Sequence, residues 1–117
     1  MKNNWGKFLV LSISALFFTF MLTGCSPVYD VKYRVICDGD TLDITYNDEF
    51  DDRQTVENED SPWSIRLPGE TGSELYISGE RTGLQLVRTV TVEIYVDGIQ
   101  VAQSTDYQNA HTSYTIP

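Results

Sequence analysis

A chain of 117 residues is enough for one domain and not for two. Its 17 acidic residues against 8 basic ones give a formal net charge of −9, which excludes nucleic-acid binding by phosphate neutralisation, since that needs a basic patch. One His and two Cys exclude most zinc sites and any disulfide framework.

Residues 1–24 read as an address and not as part of the fold. Lys2 and Lys7 supply a positive start, and Phe8 to Leu22 is an apolar run broken only by Ser12, Ser14 and Thr19. A spanning helix needs about 20 apolar residues, so this run of 15 fits the core of a signal peptide. It ends in Leu22-Thr23-Gly24-Cys25, which resembles the bacterial lipobox. That resemblance implies cleavage before Cys25 and attachment of lipid to its sulfur. Processing there removes two lysines and no acid, leaving 93 residues with 6 basic and 17 acidic side chains, a net charge of −11. A diacyl or triacyl anchor passes the two-chain threshold for stable attachment. Ser26 follows the Cys where Asp does not, which by the same resemblance implies outer-membrane sorting in a Gram-negative cell. Residues 25–30 are then a short tether, and 31–117 the domain.

Alternation of period two dominates from there. Val31, Tyr33, Val35 and Cys37 share one strand face, so Cys37, left without a partner once Cys25 is lipidated, is expected to be a small buried hydrophobe. Asp38-Gly39-Asp40-Thr41 has turn chemistry, and Leu42, Ile44 and Tyr46 mark a second strand. Asn47 to Asp60 holds seven acids and one Arg, and reads as a solvated loop with at most a short strand at Gln54–Val56. Trp63, Ile65 and Leu67 face the core from a strand that Pro62 marks as an edge. A turn at Pro68-Gly69 and Gly72 leads to a strand over Ser73–Gly79, with Leu75 and Ile77 inward and Tyr76 outward. Glu80 to Leu86 is expected to be a loop. Val90, Val92, Ile94 and Val96 then alternate with Thr91, Glu93 and Tyr95. Asp97-Gly98 follows as a type I′ turn, pairing Val96 with Ile99 and Ile94 with Val101. A last strand near His111–Ile116 directs Tyr114 and Ile116 inward.

The expected fold is therefore all-β: a single antiparallel β-sandwich of about seven strands, immunoglobulin-like in architecture. The segments Val31-x-Tyr33-x-Val35, Asp43-Ile44-Thr45-Tyr46, Pro62-Trp63-Ser64, Leu75-Tyr76-Ile77-Ser78 and Val90 to Gly98 occur in this order. Together they resemble the small β-sandwich of the mycobacterial membrane protein S family and related lipoproteins. The resemblance covers most of the chain after Cys25. It implies an accessory role beside a lipid or siderophore exporter. Unlike those members, this chain has a lipobox in place of a transmembrane helix and lacks paired domain cysteines.

Three constellations bear on chemistry. Asp38, Asp40 and Asp43 surround a turn, and Asp48, Glu49, Asp51 and Asp52 form a second acidic group. Either is a weak candidate for Ca²⁺, without EF-hand spacing. Asp106, His111 and Ser113 are the residue types of a hydrolase triad but come without a nucleophile elbow, so no catalytic residue is assigned and no enzyme is expected. Tyr76 and Tyr95, pointing out of their strands, are candidates for a protein- or sugar-binding face. No motif calls for a cofactor. The expectation is a membrane-anchored lipoprotein of the bacterial cell envelope, a non-enzymatic accessory or protein-binding module with an envelope protein as partner. The alternative is a glycan- or calcium-binding surface module.

Overall fold

The computed structural model describes residues 27–83 and 88–117. The signal-peptide reading of 1–24, the expected lipid site Cys25 and the last three residues of the loop expected over Glu80–Leu86 lie outside these residues, while Glu80 and Arg81 belong to a strand and not to that loop. Eight strands follow one another: β1 (Val28–Cys37), β2 (Thr41–Asn47), β3 (Arg53–Asp60), β4 (Trp63–Glu70), β5 (Glu74–Arg81), β6 (Val90–Val96), β7 (Ile99–Asp106) and β8 (Asn109–Thr115). They form two antiparallel sheets, ordered β4-β1-β6-β7 and β3-β2-β5-β8. This is the expected β-sandwich, with eight strands in place of about seven.

The strand pattern follows from which side chains are apolar. Val31, Tyr33 and Val35 of β1, Leu42 and Ile44 of β2, Ile77 of β5, and Val90, Val92 and Ile94 of β6 are all 0% exposed. Each such burial is worth about 1.5–3 kcal/mol against exposure. All come from the central strands, which neighbours cover on both sides. The flanking strands contribute half-buried residues: Val56, Trp63, Ile65, Leu67, Val101 and Tyr114. Trp63 packs on the core through Tyr46, their rings 5.6 Å apart, and Tyr46 in turn lies 5.7 Å from Tyr33. Cys37 is buried as expected, and its thiol donates to the Asp40 carbonyl.

Several boundaries differ from the sequence reading. The acidic segment is not mainly loop, because its second half is the edge strand β3. An edge strand needs little apolar surface, so period-two hydrophobicity does not mark it. It carries a bulge where Leu42 faces Glu59 and Ile44 faces Val56. The Asp43 carboxylate accepts the Asn58 N–H there, and Asn58 has φ 57°. Pro68 and Gly69 are not a turn but the end of β4, which is indeed an edge strand. Gly69 is buried, and a Cβ on it would lie 2.7 Å from Val31 Cγ2. β1 starts at Val28, three residues before the expected Val31.

The Asp97-Gly98 turn has φ 52° and 81°, both positive as type I′ requires. Val96 pairs with Ile99 as expected, but a bulge shifts the ladder so that Ile94 faces Ala102 and not Val101. Ile99 is 67% exposed, so the buried face of the hairpin does not reach its tip.

Two ends of the sandwich result. One gathers the start of β1, the β2–β3, β4–β5 and β6–β7 turns and the C-terminus: Val28 pairs with Glu70, the Asp97 N–H donates to the Asp30 carbonyl, and the Ile116 N–H to that of Ser73. The other end carries the β1–β2 and β7–β8 turns, tied together by Arg81.

Candidate functional site

The two outer sheet faces carry the outward side chains. On the β3-β2-β5-β8 sheet the register places Arg53 opposite Asn47, and Tyr76 opposite Ser113. Arg53 Nε donates to Asn47 Oδ1 at 3.0 Å, and Asn47 Nδ2 donates to the Glu74 carbonyl at 2.8 Å. Asn47 is buried, so it holds the guanidinium in one place, 4.1 Å over the centre of the Tyr76 ring. His111 continues the line, its ring 6.4 Å from that of Tyr76. Three planar side chains thus lie across the sheet. Beside them Thr45 pairs with Thr55 and Ser78, and Ser78 with His111. A planar platform bordered by hydroxyls and a guanidinium is chemistry for binding polyhydroxylated or polar surfaces.

Beneath this face, Tyr33 is fully buried. Its hydroxyl donates to the Asn47 carbonyl at 2.7 Å and accepts the Tyr76 N–H. Burial pushes its pKa up to about 12.

Tyr95 lies on the other sheet. Its hydroxyl donates to Glu93 Oε1 at 2.9 Å, Arg34 pairs with the same oxygen at 3.4 Å, and Lys32 Nζ stands 5.5 Å from the ring centre. Desolvation, and then the Glu93 carboxylate, push the Tyr95 hydroxyl above its ordinary pKa. Tyr76 and Tyr95 both point outward, as expected, but on opposite faces of the sandwich. They do not make one platform.

Of the acidic candidates, the carboxylates of Asp40, Asp43, Asp48 and Asp51 have structural partners, and Asp38 is held through its backbone carbonyl. Asp40 pairs with Arg81 at 2.9 Å, and Arg88 donates to the Asp38 carbonyl at 2.7 Å. Asp43 holds the β3 bulge. Arg81 and Arg88 thus both hold the 38–40 turn. Asp48 accepts the N–H groups of Phe50 and Asp52, and this depresses its carboxyl pKa, the Phe50 bond contributing most. Among the described residues, no three His, Cys, Asp or Glu side chains group for a metal.

Asp106 accepts the adjacent Tyr107 N–H at the end of β7. Among the described residues His111 bonds neither Ser113 nor Asp106; its contact is the Tyr76 ring. The sequence reading missed Arg53, Asn47 and Arg81. Arg53 carried a signal, being the one cation among seven acids. No protein-family model matches the chain, and no curated protein matches it.

Proposed function

We propose that this protein is a lipid-anchored bacterial envelope lipoprotein whose β-sandwich works by binding, as a non-enzymatic accessory module of an envelope complex. The observation that carries this reading is the junction between lipobox and fold. β1 begins at Val28, three residues after Cys25. A lipid on Cys25 therefore tethers the domain within about 10 Å of the bilayer, at about 3.4 Å per residue. Such a domain meets membrane-embedded partners at high effective concentration. The resemblance to the mycobacterial membrane protein S sandwich supports a transporter as that partner. Outer-membrane sorting follows if the cell is Gram-negative.

The test is purification of a C-terminally tagged full chain from membranes without crosslinking. A defined envelope complex in stoichiometric amount is the expected result, and recovery of the chain alone would contradict it. The row of Arg53, Tyr76 and His111 favours a second reading, a glycan-binding surface. Glycan binding that survives Tyr76→Ala and Arg53→Ala would remove this row from consideration.

A further inference from the structure

We propose that the end of the sandwich where the chain enters is a docking surface for a zwitterionic lipid bilayer, with Phe50, Val28 and Ile99 seated in its interfacial region. This inference rests on the lipid anchor proposed at Cys25.

Among the described residues four large hydrophobic side chains are exposed: Val28 at 70%, Phe50 at 75%, Ile99 at 67% and Tyr107 at 58%. Three of the four sit at one end. Val28 opens β1 and lines one surface depression together with Phe50, Pro68 and Gly69. Ile99 follows the hairpin turn, whose Asp97 exchanges hydrogen bonds with Asp30, two residues from Val28. Tyr107 alone is at the far end, beside the Arg81 tie.

These side chains contribute little to the buried core. Their position gives them an occupant. With two residues between Cys25 and Val28, the anchored domain has few orientations, and the end bearing Val28 is the one facing the lipid. Side chains there reach the headgroup boundary, where amphipathic surfaces bury apolar groups about 5–10 Å deep. The anchor has already met the entropic cost of association, so a few side chains suffice to orient the domain.

Charge selects the lipid. Glu49, Asp51 and Glu70 line the depressions beside Phe50 and Val28, and Asp97 stands in the turn before Ile99, whereas the cation beside Val28, Arg66, is already paired with Asp30 at 2.7 Å. Anionic headgroups are repelled by these acids. The ammonium of phosphatidylethanolamine gives their carboxylates a charged hydrogen-bond donor. Docking with this end down leaves both outer sheet faces free for a partner.

The test uses the processed, lipidated protein reconstituted in phosphatidylethanolamine–phosphatidylcholine vesicles with brominated acyl chains. Phe50→Trp and Tyr107→Trp are compared, each over the Trp63 background, with Ile99→Trp as a second probe at the docking end. Tryptophan at 50 or 99 should be quenched several-fold more than at 107, and replacing part of the lipid with phosphatidylglycerol should reduce that quenching. Protein that sediments with vesicles yet shows equal, weak quenching at all three positions overturns the docking and leaves the anchor standing. Protein that does not sediment overturns both. Stronger quenching in phosphatidylglycerol contradicts the choice of a zwitterionic surface.

Discussion

Arg81, wholly buried at the end of β5, holds the Asp40 carboxylate at 2.9 Å across the far end of the sandwich. Its Nε also donates to the Tyr107 carbonyl, and Gln108 donates back to the Arg81 carbonyl. One side chain therefore joins the β1–β2 turn of one crossover to the β7–β8 turn of another. Asp40→Asn removes the carboxylate that this buried guanidinium holds. We expect a loss of about 3 kcal/mol in denaturant melts, the lower range for a broken buried pair because Asp40 keeps some solvent contact. Because an arginine already occupies Asp40, millimolar Ca²⁺ and Mg²⁺ should shift the melting temperature equally, by screening. A larger shift with Ca²⁺ would restore the calcium reading.

Tyr33 contributes to the alkaline limb of stability. Its pKa rises from 10.0 in the unfolded chain to about 12 in the fold. The unfolded state thus loses its proton first. The contribution is complete below pH 10 and is lost as pH rises through 12. Tyr33→Phe removes the bond to the Asn47 carbonyl and should cost about 1 kcal/mol at neutral pH. It should also flatten the fall in stability over that alkaline window. An unchanged slope in pH-dependent melts would contradict the placement of this hydroxyl.

The β6–β7 hairpin separates backbone from packing effects. Nothing lies within 4 Å of a Cβ added at Gly98, whose φ is +81°. Gly98→Val should therefore cost about 1–2 kcal/mol through backbone strain alone. Ile94→Asp, at a fully buried position, should prevent folding. Glu93→Ala, on the outer face, should cost about 1 kcal/mol, since it releases Arg34 and Tyr95 together. Equal damage from the Ile94 and Glu93 changes would mean that the strand is covered on both faces.

The thiol of Cys37 is a direct probe of the core. It should react slowly with a thiol reagent in the native domain and fully once denatured. Rapid native labelling would place it outside the core.

The parts of the fold that were legible are those in which burial follows period two. Val31, Tyr33, Val35 and Cys37 share one face of β1 and Val90, Val92 and Ile94 one face of β6, and the structure buries all seven, while Ile36 on the outer face and Val96 at the strand end stay half-exposed. β3 was legible only as the short strand at Gln54–Val56, because at an edge its side chains are mostly solvated and only Val56 and Glu59 are half-buried. The bulge opposite Ile94 has no sequence mark, since Val101 and Ala102 are both acceptable inward residues. Tyr76 and Tyr95 could each be read as outward. Their separation could not, because the sheet order joins β1 to β4 and β6 across the chain. Arg81 fell within the expected Glu80–Leu86 loop. Its burial depends on the Asp40, Tyr107 and Gln108 contacts that only the closed sandwich assembles.

Lipid attachment at Cys25 underlies both the proposed function and the orientation on the bilayer. The intact mass of the protein extracted from membranes tests it most directly, with Cys25→Ser alongside. The expected result is a chain beginning at Cys25 that carries a diacylglyceryl group, and an unprocessed, unacylated chain in the Cys25→Ser variant. A wild-type mass equal to the full chain of 117 residues, or to a cleaved chain without acyl groups, would contradict the anchor.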